Sequence, residues 1–206
     1  MKRIIFDIDN TLIEWKDEYV SSIMNLLNKY KEYTKEDGIE IYNRLSYYGD
    51  NLDKLNIDDL VNRFKDLNIS KEFLIDILES QKLCSDPVSK DVIDTLEYLS
   101  QKYELVILSN WFKDVQIKRM EIAGILKYFK EFYCNDEYVS KPNKEAFINA
   151  LGNTLPSEAI MIGDNLDVDI IPAINLGIKG ILITNKDIKS DKFITIKNIS
   201  ELKEML

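Results

Sequence analysis

The sequence predicts an α/β fold: a doubly wound, Rossmann-like parallel sheet with an α-helical cap inserted after its first strand. Short runs rich in β-branched residues alternate with stretches of helical periodicity through the second half of the chain, as in βαβ units. Between the first such run and the next lies a long segment with helical periodicity throughout. We therefore expect a core of residues 1–13 and 86–206 and a helical cap of residues 14–85.

The first strand is the apolar run Ile4–Phe6, which is short and apolar enough to be buried on both faces of a sheet. It delivers Asp7 and Asp9 at its carboxyl end, where open α/β sheets place their ligand sites. An Asp-x-Asp pair is equally compatible with a solvated turn. This stretch alone indicates a candidate site and does not establish one.

Residues 14–85 show apolar positions at spacings of three and four, which predicts four amphipathic helices. The expected helices are Lys16–Tyr30, Lys35–Tyr48, Ile57–Leu67 and Lys71–Gln81. Gly49–Asn51 predicts a turn between the second and third of them, and Asp58 and Ser70 are candidate N-caps. Such a bundle is either a lid over the Asp7 site or a unit that only adds stability.

The core resumes after Asp86-Pro87, where strands and helices alternate in a way that predicts parallel pairing with right-handed crossovers. The predicted helices are one that Ser89 caps and that runs to Ser100, Val115–Ala123, Asn143–Leu151, and one that follows Gly163–Asp164 and ends at Gly177. The predicted strands are Leu105–Leu108, Phe132–Cys134, Ala159–Ile162 and Gly180–Ile183. The closing stretch Ile194–Leu206 predicts a short extended piece followed by a helix.

Composition excludes several classes of function. The net charge is −9 without a basic patch, so neither nucleic acid nor an anionic membrane is an expected partner. The chain has no apolar run near the ~18 residues of a membrane span and no signal-peptide pattern, which predicts a cytoplasmic protein. Cys84 and Cys134 fit ordinary reduced thiols. Nothing in the sequence indicates the oligomeric state.

The chain contains no histidine. This excludes the Ser-His-Asp triad, the Cys-His dyad and the usual histidine-ligated zinc sites. Any acid/base or nucleophilic chemistry must therefore come from carboxylates, Lys, Tyr, Ser or Cys. The composition favours a mechanism centred on aspartate.

Four motifs of the chain resemble those of the haloacid dehalogenase (HAD) superfamily, in the order in which that family has them. They are Asp7-x-Asp9-x-Thr11 on the first strand, Ser109 after the second, Lys141 after the third, and Gly163–Asp164 with Asp169 after the fourth. The resemblance covers residues 1–13 and 86–185, and the inserted helices resemble the family's C1-type cap. Most members of the family are magnesium-dependent phosphohydrolases, so the resemblance implies this activity and Mg²⁺ as the cofactor.

The resemblance also implies a role for each acidic motif residue. Asp7 would attack the phosphorus atom and carry an aspartyl-phosphate, and Asp9 would be the general acid and then the general base. Mg²⁺ would be held by the carboxylates of Asp7 and Asp164 and by the backbone carbonyl of Asp9. Lys141 would contact both the nucleophile and the phosphoryl group. An ionised Asp is a competent nucleophile without an activating base, which suits a chain that lacks histidine.

Further residues would bind the phosphoryl group. The resemblance implies this role for the Ser109 hydroxyl and the backbone amide of Asn110, together with Lys141. Thr11 belongs to the same phosphate-binding set. It also closes the turn after Asp9 and is expected to fix the direction of the Asp9 side chain.

The outer parts of the expected site are less specific. Asp169 is predicted to support Asp164 from behind the metal ligands, with Asp167 as a competitor that could instead cap the next helix. Trp15 and Trp111 follow the first two motifs closely in sequence. Each either lines a substrate pocket or belongs to the apolar core.

These observations predict a Mg²⁺-dependent phosphatase that hydrolyses a small phosphorylated metabolite through an aspartyl-phosphate. The alternatives are a phosphomutase on the same fold, which would exclude water from the intermediate, and a non-catalytic phosphate-binding regulator. A metal-free dehalogenase would have no use for the Asp9, Thr11 and Asp164 group. The identity of the phosphate ester is not indicated by the sequence.

Overall fold

The computed structural model describes residues 2–14 and 17–206. Trp15 and Lys16, which begin the first predicted cap helix, lie outside the described residues.

A six-stranded sheet forms the centre of the molecule, with the strand order β3-β2-β1-β4-β5-β6. The strands are β1 Arg3–Phe6, β2 Glu104–Ser109, β3 Glu131–Cys134, β4 Ala159–Gly163, β5 Lys179–Ile183 and β6 Ile194–Ile196. All five pairings are parallel, and Ile5 of β1 lies opposite Val106 and Met161 of the two flanking strands. The order reverses between β1 and β4, so the crevice at their carboxyl ends is the place where ligands bind in such sheets. The predicted doubly wound parallel sheet is confirmed.

Four α-helices follow β1 in the described part of the insertion. They are α1 Asp17–Leu26, α2 Lys35–Asn51, α3 Ile57–Arg63 and α4 Lys71–Gln81, with a 3₁₀ turn at Lys65–Leu67. The Ser70 hydroxyl accepts a hydrogen bond from the Phe73 amide and caps α4, as predicted. The Asp58 prediction was wrong, because Asn56 caps α3 through the amides of Asp58 and Asp59.

The turn predicted at Gly49–Asn51 was also wrong, since these residues form the last part of α2. The glycine serves close packing instead. A Cβ at Gly49 would lie 3.1 Å from the Asn110 carbonyl oxygen and 3.2 Å from the Trp111 ring. The absence of a side chain thus lets the end of α2 approach the loop that follows β2.

Five α-helices of the core cover the sheet. They are α5 Lys90–Ser100, α6 Lys113–Ile122, α7 Lys144–Leu151, α8 Ile171–Asn175 and α9 Leu202–Met205. Ile4 and Phe6 pack in one apolar cluster with α5 and α6, whereas Ile5 packs in another with α7 and α8. Because successive side chains of a strand point to opposite faces, β1 is apolar throughout and buried on both sides.

The stretch after β4 differs from the single helix that was predicted to follow Asp164 and to end at Gly177. A π-helical turn at Leu166–Ile170 precedes the short α8. The carbonyl of Asn165 accepts from the Asp169 amide at 2.9 Å and the Ile170 amide at 3.4 Å, and Pro172 in the first turn of α8 has no amide hydrogen to offer. The widened turn brings Asp169 back toward β4.

The inserted helices lie against the core in this structure. Their apolar cluster includes Trp111 from the loop after β2. The Asn135 side-chain amide donates to the carbonyls of Gly49 at 3.1 Å and Leu52 at 3.3 Å, and the Ser140 hydroxyl donates to Leu52 at 2.7 Å. The Leu55 amide in turn donates to the Asn135 carbonyl at 2.8 Å. These contacts join the segment after α2 to the loops that follow β3. The division at residues 13/14 and 85/86 stays a prediction.

Among the described helices, none is both long and apolar enough to cross a lipid bilayer.

Candidate functional site

Asp7 lies directly after the central strand β1 and is 6% exposed. Its backbone amide continues the sheet by donating to the Ile162 carbonyl at 2.9 Å. Its Oδ1 accepts from Lys141 Nζ at 2.7 Å, and its Oδ2 is 3.2 Å from the Thr11 hydroxyl, which donates to it. The Thr11 hydroxyl thus bonds Asp7, and the expectation that Thr11 fixes the direction of Asp9 by closing the turn stays a prediction.

Lys141 is 2% exposed and is held from several sides. Its ammonium bridges Asp7 at 2.7 Å and Asp169 Oδ1 at 2.6 Å. The side chain of Asn110 accepts from the Lys141 amide at 2.8 Å and donates to its carbonyl at 2.9 Å. Asn110 therefore positions Lys141 with its side chain. The predicted contact between the Asn110 backbone amide and phosphate stays a prediction.

Asp169 enters the site because of the widened turn after β4. Its Oδ2 accepts from the Asn165 amide at 3.1 Å. A Cβ on Gly163 would lie only 2.4 Å from that oxygen, so no other residue fits there without displacing Asp169. Asp167 is exposed, and the cap of the turn is the Asn165 side chain, which accepts from the amides of Asp167 and Val168.

The buried carboxylates perturb one another. Burial raises the pKa of Asp7 to about 8; Lys141 opposes this rise, and the Asp169 and Asp9 charges add to it. Burial and the charge of Asp169 raise the pKa of Asp164 to about 6. Burial acts to lower the pKa of Lys141, but the Asp169 and Asp7 carboxylates together raise it, so the lysine is protonated. The site thus has more negative charge than its ammonium neutralises.

An oxygen-rich cluster at the same place fits a hard divalent cation. Asp7, Asp164 and Asp169 each offer one carboxylate oxygen, and these atoms lie within 4.8 Å of one another. Asp169 also bonds Lys141 and the Asn165 amide, as a supporting residue would. The carboxylate of Asp9 is absent from this described cluster and faces α6 instead. Its predicted contribution to the metal is a backbone carbonyl.

The sequence analysis missed two residues of α6 that contact Asp9. Gln116 Nε2 donates to Asp9 Oδ2 at 2.7 Å and to the Ser109 hydroxyl at 2.9 Å. Arg119 Nη1 forms an ion pair with Asp9 Oδ1. Both residues are fully buried. A sequence signal for both residues exists. Gln116 and Arg119 are polar, lie three positions apart, and occupy the core-facing side of a helix beside the apolar Val115 and Met120.

The cluster opens into a cavity of about 120 Å³ between the core and the inserted helices. Its lining is Asp7, Asp9, Asn10, Tyr19, Ser46, Gly49, Ser109, Asn110, Trp111, Lys141, Asp164, Asn165, Val168 and Asp169. Trp111 also belongs to the apolar cluster, and its Nε1 donates to Gln81 Oε1 at 3.2 Å. Trp111 therefore lines the cavity and also belongs to the apolar core. Trp15 lies outside the described residues.

Comparison with known proteins agrees with this geometry. The model of the family described as haloacid dehalogenase-like hydrolase matches residues 4–183. The chain belongs to this family. The match includes all four motifs, from Asp7 after β1 to Asp169 after β4.

Individual proteins are similar over half of this chain or more. The pyrophosphatase PpaX of Halalkalibacterium halodurans is 27% identical over 185 residues, which cover 85% of this chain and 80% of that protein. The glyceraldehyde 3-phosphate phosphatase of Methanothermobacter thermautotrophicus is 29% identical over 123 residues, or 54% of each chain. The crystal structure of a HAD phosphatase from Thermococcus onnurineus superposes with a TM-score of 0.69 at 25% identity, covering 100% of this chain and 97% of that one.

Proposed function

We propose that this HAD-like hydrolase is a Mg²⁺-dependent phosphatase that hydrolyses a small phosphorylated metabolite through an aspartyl-phosphate. The observation that carries the proposal is the environment of Asp7. Its two carboxylate oxygens are held by Lys141 and Thr11 at the floor of the cavity. The oxygen cluster with Asp164 and Asp169 lies beside it. A relative named as a phosphatase and another named as a pyrophosphatase support the same reaction class.

In the first step Asp7 attacks the phosphorus atom. A carboxylate and one phosphate charge about 4 Å apart repel by roughly 4 kcal/mol at an effective dielectric constant near 20. Lys141 lies 2.7 Å from Asp7 Oδ1, where its ammonium lowers this repulsion and keeps the carboxylate oriented for attack. The Ser109 hydroxyl, at the end of β2, would donate to a phosphoryl oxygen.

Asp7, Asp164 and the Asp9 carbonyl would hold the magnesium ion, with Asp169 supporting them through Lys141. Bound Mg²⁺ would supply the positive charge that orients the phosphoryl oxygens and neutralises the charge that develops on them. The donor set is entirely oxygen, which Mg²⁺ prefers, and it contains neither thiolate nor imidazole.

Asp9 completes the proposed mechanism as the acid and base. It would protonate the leaving oxygen in the first step and deprotonate the water that hydrolyses the aspartyl-phosphate in the second. Asp9 lines the same cavity as Asp7, and both residues would act on one bound phosphate ester.

Residues 14–85 would act as the cap of this active site. Tyr19, Ser46 and Gly49 of the inserted helices line the cavity together with the catalytic residues of the core. Substrate choice would therefore come from cap side chains as well as from Trp111.

A panel of phosphorylated metabolites with Mg²⁺ tests the proposal most directly. It should include pyrophosphate and triose phosphates, which the names of the two relatives suggest. Turnover of at least one compound should stop with EDTA, return with Mg²⁺ and return poorly with Ca²⁺, which prefers more ligands at longer distances. Acid quenching with ³²P-labelled substrate should trap the label on wild-type protein and not on Asp7→Asn. Turnover that survives EDTA, or label that stays on the Asp7→Asn variant, would contradict the mechanism.

A further inference from the structure

We infer that Arg119, assisted by Gln116, is a positioning residue that fixes the carboxylate of Asp9 and ties it to the cap joint at Cys84. The inference rests on the proposed function, in which Asp9 is the acid and base. It adds two residues to the reaction that the four sequence motifs do not contain, and it connects the position of the cap to the chemistry.

The guanidinium group of Arg119 is 0% exposed and is bound on several sides. Its Nε donates to the Cys84 carbonyl at 2.9 Å, and its Nη1 donates to Gln116 Oε1 at 2.7 Å and pairs with Asp9 Oδ1. The guanidinium carbon lies 5.0 Å from the centre of the Tyr19 ring. One rigid group therefore contacts the core site, the end of the cap and the first cap helix.

The charges of Arg119 and Asp9 depend on each other. A buried guanidinium is unfavourable without a counter-charge, and Asp9 is the carboxylate that pairs with it in the part of the chain that the structure describes. The planar guanidinium holds its donors at fixed angles. The direction of the Cys84 carbonyl therefore constrains the direction from which Arg119 meets Asp9.

Gln116 binds the other oxygen of the same carboxylate. Its Oε1 accepts from Arg119, while its Nε2 donates to Asp9 Oδ2 and to the Ser109 hydroxyl. This pattern determines which way the amide faces. With one donor on each oxygen, the Asp9 carboxylate has a fixed plane and stays at the wall of the cavity instead of rotating freely.

The cap contributes to this arrangement from both of its ends. Cys84 lies just before the joint through which the chain returns to the core, and Tyr19 lies on α1 near the other joint. A shift of the cap would move both contacts of Arg119. Asp9 is therefore aligned when the cap is seated on the core as in this structure.

A leaving-group comparison tests the role of Arg119. The variants are Arg119→Met, Arg119→Lys and Gln116→Met, and the control is Arg3→Met, which removes a buried arginine that pairs with Glu104 and Glu131 at the opposite end of the sheet. Single-turnover phosphorylation is measured with glycerol phosphate, whose alkoxide must be protonated, and with p-nitrophenyl phosphate, whose phenolate needs no proton.

If Asp9 is misplaced, the ester whose leaving group must be protonated should react more slowly, and the other ester should be affected less. Arg119→Met should slow the reaction of glycerol phosphate by about 10- to 100-fold and that of p-nitrophenyl phosphate by less than about threefold, with Gln116→Met and Arg119→Lys in between. Arg3→Met should not separate the two esters. Equal losses for both esters in the Arg119 and Gln116 variants, or no loss at all, would overturn the inference. If Arg119→Met does not fold, the two esters are compared with Gln116→Met and Arg119→Lys.

A double-mutant cycle shows whether Arg119 acts through Asp9. In an Asp9→Asn background, replacing Arg119 with Met should change glycerol phosphate turnover by less than about threefold, because the group that it positions is already missing. Losses that multiply would mean that Arg119 acts independently of Asp9, and would overturn the inference.

A failure of the proposed function is visible separately. If wild-type protein releases phosphate from none of the panel compounds, the phosphatase proposal fails and the leaving-group comparison does not apply. Denaturant unfolding of wild type, Asp9→Asn, Arg119→Met and the double variant then measures the coupling without substrate. A measurable coupling, together with faster hydrogen exchange at residues 84–88 in Arg119→Lys, would support the positioning role. Additive midpoint shifts and unchanged exchange would overturn it.

Discussion

At the scale of single residues, Lys141 organises the site through the two carboxylates that its ammonium bridges. Its distances to Asp7 and Asp169 are 2.7 and 2.6 Å, and Asn110 holds its backbone. A charged pair inside a protein is held strongly when hydrogen bonds satisfy its remaining atoms. The geometry therefore gives Asp7 one orientation before any substrate arrives.

We predict that Asp7→Asn lowers turnover by about a thousandfold or more while the protein stays folded, because an amide keeps the shape of the side chain but is a poor nucleophile. Removing a buried carboxylate should leave the free energy of unfolding of metal-free protein unchanged or raise it. The matched control is Asp167→Asn, an exposed acid in the π-helical turn after β4. Intact steady-state turnover in Asp7→Asn would exclude the covalent mechanism.

A second prediction separates the metal ligand from its support. Asp164→Ala should weaken Mg²⁺ binding more than Asp169→Ala, because Asp169 already bonds Lys141 and the Asn165 amide. Titration calorimetry of both variants with MgCl₂ measures the difference. The reverse order would mean that Asp169 is the ligand and Asp164 the support.

The raised pKa values of Asp7 and Asp164, about 8 and about 6, predict how Mg²⁺ binding depends on pH. Protons and Mg²⁺ compete for these carboxylates, so Mg²⁺ affinity should fall as the pH decreases through these values. For each proton that Mg²⁺ displaces, the fall should be up to about tenfold per pH unit. The free energy of unfolding of metal-free protein should change with pH in the opposite direction. Carboxyl groups with raised pKa values favour the folded state at low pH, and this contribution is lost as the pH rises toward 8.

Calorimetry in buffers of different ionisation enthalpy measures the protons released when Mg²⁺ binds. Denaturant unfolding without metal measures the opposite trend. A Mg²⁺ affinity that is the same at pH 5.5 and 8.5 would contradict this account.

At the scale of secondary structure elements, the turn after β4 shows how a local backbone feature builds the site. The π-helical turn at Leu166–Ile170 directs Asp169 toward Lys141, and Gly163 at the end of β4 leaves the space that its carboxylate occupies. An ordinary helix starting after Asp164 would place the same side chains in different directions. The element prediction was right about a helix here and wrong about its form.

Gly163→Ala should displace Asp169, because the added Cβ would lie 2.4 Å from its Oδ2. We expect a loss of about 1–3 kcal/mol in the free energy of unfolding and a marked fall in turnover. The control is Gly38→Ala in α2, where the new Cβ meets only the ends of two side chains, the flexible Met24 at 2.9 Å and Leu27 at 3.3 Å. This control should be neutral or stabilising, since alanine favours helix. Full activity in Gly163→Ala would show that Asp169 tolerates displacement.

At the scale of the whole molecule, the most important feature is the seam, the region where the insertion contacts the core. Hydrogen bonds from Asn135 and Ser140 to the segment after α2, together with the apolar contacts of Trp111, hold the insertion on the core in this structure. The cavity at the candidate site lies within this seam. A cap that moves must break these contacts as well as bend at its joints.

Hydrogen exchange with Mg²⁺ and a phosphate-mimicking fluoride complex tests whether the cap closes on a ligand. Protection should appear at both joints, near residues 13–15 and 84–88, and on the core loops after Asp9 and Asn110, while the helices α1–α4 change little internally. Ser140→Ala, which removes one seam hydrogen bond, should weaken the protection at the joints. Protection confined to the core loops would show that the insertion is a fixed bundle.

The sequence alone was sufficient for the fold class, the strand positions within one or two residues and the four motifs, because these depend on local periodicity and on residue types after strands. Parallel strands then bring Asp7, Ser109, Lys141 and Asp164 to one edge of the sheet wherever the chain follows this topology. Chemistry encoded next to strand ends is thus readable before a structure is known.

The tertiary structure alone decided which side chains those residues touch. Thr11 bonds Asp7 and not Asp9, Asn110 holds Lys141, and Arg119 with Gln116 binds Asp9 from a helix far away in sequence. The physical reason is that a burial pattern identifies an inward face without identifying the partner across it. That partner is set by how helices pack on the sheet and by the path of the turn between them.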